Sequence, residues 1–235
     1  MLINFLKDLT SYFRFKIKES DYRIGFFCEN SYILKYLEPY ILKKLKREKI
    51  LIIFFEKISN NLINSTSIFV FYTQFFRELV FLTLKLKYLY SSTPGLNKTI
   101  FKKSKLSKCK YIYLQHTPVS LTMIYNENAY DSFDTVQTIN TFQFNEMNEI
   151  ASKRKISTKA FKSKYLFTTK QIEGNSARER KTDLIIAPSW NSSFYKLNCH
   201  ILLKNLLSNS DLSYKIRPHP TSLKKNEISL NELNK

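Results

Sequence analysis

The fold class is indicated most clearly by one uninterrupted apolar stretch, Lys49-Ile50-Leu51-Ile52-Ile53-Phe54-Phe55. A strand with one face in water alternates apolar and polar residues, whereas a continuous run of Ile, Leu and Phe predicts a strand covered on both faces. Such strands are typical of parallel sheets that carry helices on each side. The stretch therefore favours an α/β fold.

The chain on either side of this stretch alternates between strand and helix patterns. Strands are expected at 23–28, 68–72, 86–90, 111–114, 133–139, 184–187 and 212–216. Helices are expected at 32–48, 75–84, 142–153 and 193–207, where apolar residues recur at helical spacing. This alternation predicts a parallel sheet with helices packed on its faces.

A change in composition divides the pattern into two parts. Residues 153–182 are polar and charged and interrupt the apolar rhythm, which is typical of a connection between domains. We therefore expect an N-terminal amphipathic segment at 1–21, a Rossmann-like domain at 22–155, a linker at 156–182 and a partial Rossmann-like domain at 183–235. The second domain has too few strand–helix units to cover both faces of a parallel sheet.

The strongly basic charge bears on the partners of the protein. The formal charge is +19, from 38 Lys and Arg against 19 Asp and Glu. This excess favours a phosphate-rich substrate, an anionic membrane surface or nucleic acid as partner. Because the lysines are scattered through a chain rich in Asn and Ile, a compositional background is the alternative. No nucleic-acid-binding module or basic–aromatic repeat is present, so nucleic acid is the weakest of the three candidates.

Cysteine usage and the first residues bear on the compartment. Cys28, Cys109 and Cys199 are isolated and lack metal-ligand spacing, which predicts free thiols in a reducing cytoplasm. Apolar residues at helical spacing within 1–21, with basic residues beside them, indicate a helix resting on an anionic membrane. A helix packed on its own domain is the alternative.

One candidate for catalysis lies where a strand is expected to end. The apolar run 111–114 leads to His116, in a loop that Pro118 stiffens. A neutral imidazole can accept a proton from an attacking hydroxyl near pH 7. A structural, hydrogen-bonding histidine is the alternative at this position.

Two later strand ends carry groups that suit phosphate. Arg217 and His219 alternate with prolines that fix the backbone, and both side chains can donate hydrogen bonds to phosphate oxygens. Ser189 and Asn191 follow the strand expected at 184–187 and offer further polar groups. A rigid, solvated turn is the alternative for the first pair. The sequence contains no P-loop, no GxGxxG and no metal-ligand cluster, so neither a metal nor a cofactor is expected.

Taken together, these segments resemble the CDP-glycerol glycerophosphotransferase family of cell-surface polymer enzymes. The order and approximate spacing of the matching segments agree with that family from about residue 22 to residue 220. The segments are Thr93-Pro94-Gly95-Leu96, the strand that leads to His116, Phe133-Asp134, Ala187-Pro188-Ser189-Trp190 and Arg217-Pro218-His219-Pro220.

The resemblance implies a GT-B fold, in which the active site lies between an acceptor-side and a donor-nucleotide-side Rossmann-like domain. It implies transfer of glycerol phosphate, or a related polyol phosphate, from a CDP-linked donor to a hydroxyl of a lipid-linked polymer. His116 matches the general base of the family, and Arg217 and His219 match the motif that holds the donor pyrophosphate. Ser189 and Asn191 are expected beside the donor phosphates. The family is cytoplasmic and peripheral on the inner face of the cell membrane, with an anionic membrane surface as a further partner.

Two departures from the family pattern affect these expectations. Thr117 and Pro118 follow the first histidine, where many relatives have Gly. The family also continues past the second histidine into an Asp-Tyr-Ser-Ser-like segment that binds the donor, and the printed sequence contains none. We therefore expect a C-terminally truncated form with an incomplete second domain, which a partner chain could complete. The alternative function is a non-catalytic remnant or half-enzyme that binds the membrane or the acceptor.

Overall fold

The structure, a computed structural model, describes residues 2–56, 67–96, 107–123, 125–166, 182–188, 199–208, 211–218 and 222. The chain forms two compact units, Met1–Gly174 and Asn175–Lys235. The strands of the first unit are β1 (Ile24–Cys28), β2 (Ile50–Phe54), β3 (Ser67–Val70), β4 (Tyr88–Ser91), β5 (Lys110–Tyr113), β6 (Thr135–Thr138) and β7 (Lys159–Lys162). Its helices are α1 (Leu2–Glu19), α2 (Ser31–Leu45), α3 (Gln74–Thr83) and α4 (Thr141–Arg154).

The seven strands of the first unit form one parallel sheet in the order β3-β2-β1-β4-β5-β6-β7. The chain adds β2 and β3 on one side of β1 and then returns to add β4 to β7 on the other side. Because the strand order reverses between β1 and β4, the carboxyl ends of these two strands border the crevice where open α/β sheets bind ligands.

The continuous apolar strands are buried on both faces. Every residue of β1 and β2 is buried, as the apolar stretch predicts. One face of the sheet, with Phe27 and Ile53, packs in the same cluster as Phe15 of α1, Val80 of α3 and Met147 of α4. The other face packs against α2 through a second cluster. The α/β prediction is therefore confirmed, with helices on both faces of a parallel sheet.

The first helix is held to the sheet by buried carboxylates as well as by aromatic rings. Asp8 is fully buried and accepts hydrogen bonds from the backbone amides of Tyr72 and Thr73. Near the other end of α1, the carboxylate of Glu19 accepts from the backbone amide of Lys85. These bonds orient α1 antiparallel to β3, because Asp8 lies near the carboxyl end of that strand and Tyr22, just past α1, bonds Ser67 at its start.

The second unit contains, among its described residues, β8 (Leu184–Ile186), α5 (Cys199–Leu207) and β9 (Tyr214–Ile216). The two strands pair in parallel, with Leu184 opposite Tyr214 and Ile186 opposite Ile216. At their amino ends, the carboxylate of Asp183 accepts hydrogen bonds from the backbone amide of Ser213 at 2.9 Å and from its hydroxyl at 2.6 Å.

One strand was not expected from the sequence. β7 lies within 156–182, the stretch whose composition predicts a linker, and it pairs with β6 at the edge of the sheet. Lysines stand at both ends of β7, and none of its residues is fully buried. A short edge strand of this kind lacks the apolar run that identifies central strands. No helix in the described part of the chain is both long and apolar enough to cross a membrane.

Candidate active site

The carboxyl ends of β4 and β5 bring His116 to the edge of the sheet where its order reverses. Beyond the strand ends, the backbone amide of Leu114 donates to the carbonyl of Ser91 at 2.8 Å. The hydroxyl of Ser92 donates to the carbonyl of Leu114, also at 2.8 Å. These bonds extend the pairing of the two strands, so the chain reaches His116 on a rigid support.

Four tyrosines contact the ring or the backbone of His116, and we call them the tyrosine cage: Tyr36, Tyr113, Tyr125 and Tyr165. The hydroxyl of Tyr113 lies 3.4 Å from His116 Nδ1, and that of Tyr125 lies 3.4 Å from His116 Nε2. The hydroxyl of Tyr165 donates to the backbone carbonyl of His116 at 2.6 Å. The Tyr36 ring meets the imidazole edge-on, with 6.0 Å between the ring centroids.

The cage keeps the imidazole neutral over a wider pH range. Burial lowers the pKa of His116 below its ordinary value, and a hydrogen bond with the Ser92 backbone acts in the opposite direction without cancelling the effect. Among the hydrogen bonds of the described residues, no carboxylate pairs with the ring. A neutral imidazole between phenolic hydroxyls can accept a proton, which is the property required of a general base.

A buried polar network fixes the residue before His116. The backbone amide of Gln115 donates to the side-chain carbonyl of Gln137 at 3.1 Å, and the Gln115 side chain donates back to the Gln137 carbonyl at 3.1 Å. The Gln137 amide also donates to the hydroxyl of Tyr40 at 2.9 Å. The network joins β6, α2 and the end of β5, so the chain that enters the site is held from three elements.

The loop that leaves His116 is tied to α4. Glu146 accepts hydrogen bonds from the Leu121 backbone amide at 3.0 Å and from the Thr122 hydroxyl at 2.9 Å, and also from the hydroxyl of Ser120. Burial by itself would raise the pKa of Glu146, but these hydrogen bonds outweigh burial, and the pKa lies below its ordinary value. The carboxylate therefore holds the loop in its charged form.

The Thr93-Pro94-Gly95-Leu96 segment follows β4 on the same edge of the sheet. Gly95 has a φ of 72°, a left-handed conformation that side chains disfavour. Its amide donates to the carbonyl of Ala129 at 2.7 Å. The hydroxyl of Thr93 lies 3.4 Å from the carboxylate of Glu29, which follows β1. The glycine thus lets the chain turn close to the strand end that carries His116.

The second unit carries the residues expected to bind the donor. Arg217 follows β9, is exposed, and its backbone amide donates to the carbonyl of Ile186 at 2.8 Å. The carboxyl ends of β8 and β9 therefore lie side by side, and the segments that continue toward Ser189 and His219 leave from one edge. Ser189, Asn191 and His219 lie outside the described residues.

The tyrosine cage is the part of the site that the sequence did not reveal. Its members come from α2, β5 and two separate later segments, and the chain contains 15 tyrosines with no distinguishing spacing. Of the four, only Tyr113 is close enough to His116 in sequence, three residues before it, for their proximity to be expected. In the part of the chain that the structure describes, no group of three or more His, Cys, Asp and Glu side chains is placed to hold a metal ion.

Comparisons with known proteins support the fold. No family model matches the sequence, and no curated protein matches it. Among solved structures, the chain is similar to a histidine-to-asparagine variant of the wall teichoic acid polymerase TagF. The two share 13% sequence identity with a TM-score of 0.53, over 98% of this chain and 68% of that one. The expected GT-B-like architecture is thus confirmed as a fold similarity.

Proposed function

We propose that this protein transfers glycerol phosphate, or a related polyol phosphate, from a CDP-linked donor to a hydroxyl of a lipid-linked cell-surface polymer. The observation that carries the proposal is the position of His116, a neutral imidazole at the carboxyl edge of a GT-B-like parallel sheet. The fold similarity to a wall teichoic acid polymerase and the ordered sequence segments support the same reaction class.

The proposed reaction is an in-line displacement at phosphorus. The acceptor hydroxyl oxygen attacks the phosphorus that bears the glycerol, while its proton passes to a ring nitrogen of His116. The bond from that phosphorus to the bridging oxygen breaks, and CMP leaves with the bonding electron pair. General-base assistance of this kind contributes about 10²- to 10⁴-fold to a rate. No covalent enzyme intermediate is required.

His116 Nε2 is the better candidate for the accepting nitrogen. Nδ1 faces Tyr113, the last residue of β5, whereas Nε2 faces Tyr125, which belongs to the loop region after β5. The hydroxyl of Tyr125 lies where an acceptor hydroxyl would have to approach Nε2. We infer that the acceptor either displaces this hydroxyl or passes its proton through it.

The donor side of the proposal rests on the second unit. Arg217 is exposed at the end of β9, so its guanidinium can form paired hydrogen bonds to the pyrophosphate oxygens. We assign His219, Ser189 and Asn191 to the same donor site on the sequence resemblance. Positive charge placed there would stabilise the charge that develops on the leaving CMP.

The test is release of CMP from CDP-glycerol by the purified full chain, with and without a membrane acceptor. His116→Gln keeps a polar side chain of similar size and removes the base, so we expect acceptor-dependent release to fall about 10²- to 10⁴-fold. Urea unfolding of both proteins serves as the folding control. Release by a folded wild type that does not change in His116→Gln would overturn the role of His116.

A folded protein that releases no CMP would favour the alternative, a non-catalytic domain that binds membrane or acceptor. One observation favours that function: α1 exposes Leu2, Leu6, Phe13 and Ile17, with exposed fractions of 53–74%. Such a stripe beside lysines suits the surface of an anionic membrane. We propose an anionic membrane surface as a partner of the protein under either function. Flotation with anionic vesicles should retain the wild type and release Phe13→Asp/Ile17→Asp.

A further inference from the structure

A groove of about 730 Å³ runs between α1 and the edge strand β3. The wall on the helix side presents Lys7, Arg14 and Lys18, with the hydroxyls of Thr10 and Ser11 between them. The other wall is β3 itself, which ends the strand order of the sheet. The groove is therefore a long, concave site outside the His116 site.

The walls of the groove carry positive charge and no acidic side chain among their described residues. Lys7, Arg14 and Lys18 are exposed, and among the ion pairs of the described residues none involves any of the three. No Asp or Glu appears among its described lining residues. A concave site lined by one sign of charge focuses its field on ligands of the opposite sign. The ligand that suits this groove is an anion.

The spacing of the three cations indicates an extended anion. They are seven and four residues apart along α1, so at 1.5 Å per residue they span about 16 Å. A single phosphate reaches one of them, whereas a chain with a phosphodiester in each repeat can meet all three. β3, the opposite wall, spans about 13 Å at 3.3 Å per residue. Both walls therefore match a chain that lies along the groove.

The groove also has a direction that points to the catalytic edge. Because α1 runs antiparallel to β3, Lys7 lies toward Tyr72 at the carboxyl end of β3, and Lys18 lies toward its amino end. His116 is at the carboxyl end of β5, four strands away in the same sheet. At 4.8 Å per strand, this is about 19 Å. A chain that leaves the groove past Lys7 emerges on the edge that carries His116.

We propose that this groove binds the phosphodiester chain of the growing acceptor polymer, behind the terminal hydroxyl that reacts. The inference rests on the proposed function, since that function supplies a polymer of polyol phosphates. A polymer is favoured over membrane headgroups because the cations line a concave groove, which a flat bilayer cannot enter. Leu6 belongs to the wall of the groove, whereas the exposed apolar residues Leu2, Phe13 and Ile17 are not among its lining residues and remain available to a membrane.

The test measures binding of a fluorescently labelled, lipid-free glycerol phosphate oligomer to the full chain by anisotropy, without any donor. In Lys7→Gln/Arg14→Gln/Lys18→Gln we expect at least about tenfold weaker binding. We also expect the slope of log affinity against log salt to fall by about 2, the value for three phosphate contacts on a single-stranded chain. Lys46→Gln/Arg47→Gln/Lys49→Gln removes the same charge from exposed positions outside the groove and should bind within twofold of the wild type.

Three results would overturn the inference. The first is equal loss of binding in both triple variants, which would mean a response to net charge alone. The second is equal competition by a single-stranded oligonucleotide of the same charge, which would make the site a general nucleic-acid groove. The third is unchanged oligomer binding with lost binding to anionic vesicles in the groove variant, which would assign the cations to the membrane.

Failure of the groove and failure of the proposed function give different results. Oligomer binding that depends on the groove, in a protein that releases no CMP, leaves the inference standing and removes the transferase function. The opposite result is CMP release that depends on His116 together with normal oligomer binding by the groove variant. It would leave the transferase function standing and remove the inference about the groove. If the triple variant does not fold, Arg14→Gln alone should still weaken oligomer binding measurably.

Discussion

The carboxylate of Glu146 on α4 lies 3.0 Å from the backbone amide of Leu121, in the loop that follows His116. With the bonds from Ser120 and Thr122, this contact fixes a loop that has no regular structure of its own. The position of the candidate base thus depends on a side chain from the helix that follows β6, thirty residues further along the sequence than the base itself.

Glu146→Gln should destabilise the protein by about 1.5–3 kcal/mol, because hydrogen bonds to a charged group are replaced by weaker ones and one acceptor becomes a donor. Urea unfolding measures the change. Glu149→Gln is the matched control on the same helix, since Glu149 is exposed and pairs with Lys153 on the surface. Its effect should stay within about 0.5 kcal/mol. Equal effects of the two variants would contradict the role of Glu146.

Asp8→Asn should also destabilise the protein by about 1.5–3 kcal/mol. Asp8 accepts from the Thr73 amide and hydroxyl, both at 2.6 Å, at the start of α3, where the N-cap residue Thr73 makes no side-chain cap bond of its own. An amide group cannot accept at both of its polar atoms. Asp21→Asn, at an exposed turn, is the control that should leave the urea midpoint unchanged.

The stability of the protein should depend on His116 below about pH 6.5. Because burial lowers the pKa of His116 in the folded state, the unfolded chain, with a pKa of about 6.5, binds a proton first as the pH falls. The free energy of unfolding therefore decreases as the pH falls below that value, and it does not depend on His116 well above it. Urea unfolding of wild type and His116→Gln from pH 8 to pH 5 should show a difference that changes only in the acidic range. For the proposed transfer reaction, the midpoint of the acid limb of kcat/KM should likewise lie below pH 6.5, because it reports the lowered pKa of His116.

Gly95→Ala should cost about 1–2 kcal/mol from backbone strain alone. Its φ of 72° is left-handed, and among the described residues other than its two chain neighbours no atom lies within 4 Å of the position a Cβ would take. Gly95→Asn should cost less, because Asn tolerates this conformation better than other residues with a side chain. Thermal unfolding of the two variants decides the cause: an Asn variant less stable than the Ala variant would indicate crowding rather than strain.

The sequence predicted most of the first sheet because its central strands carry their own signal. Residues 50–54 are buried on both faces and are apolar throughout, and the position of His116 just after a strand followed from a similar apolar run at 111–114. β7 was missed because an edge strand with lysines at both ends needs the pairing with β6 to form. A connection inferred from polarity alone cannot reveal such a strand.

The surroundings of His116 could not be predicted because they depend on distant parts of the chain. Tyr36 and Tyr165 stand on opposite sides of His116 in sequence, and Tyr165 reaches it across 49 residues. The carboxylate of Asp134, just before β6, likewise accepts a hydrogen bond from the backbone amide of Tyr111 at 2.8 Å, across 23 residues. Contacts of this kind are set by the register between strands, which sequence spacing leaves open.

The attachment of α1 has a consequence for synthesis of the chain. Its partners Phe69, Tyr72, Thr83 and Lys85 are all encoded at least fifty residues after the middle of the helix. At ordinary rates of translation, α1 therefore waits several seconds on the ribosome before these four partners have been made. During that interval the apolar side chains of α1 are exposed to a chaperone or to a bilayer. The helix therefore meets such a surface before the sheet that it packs on has formed.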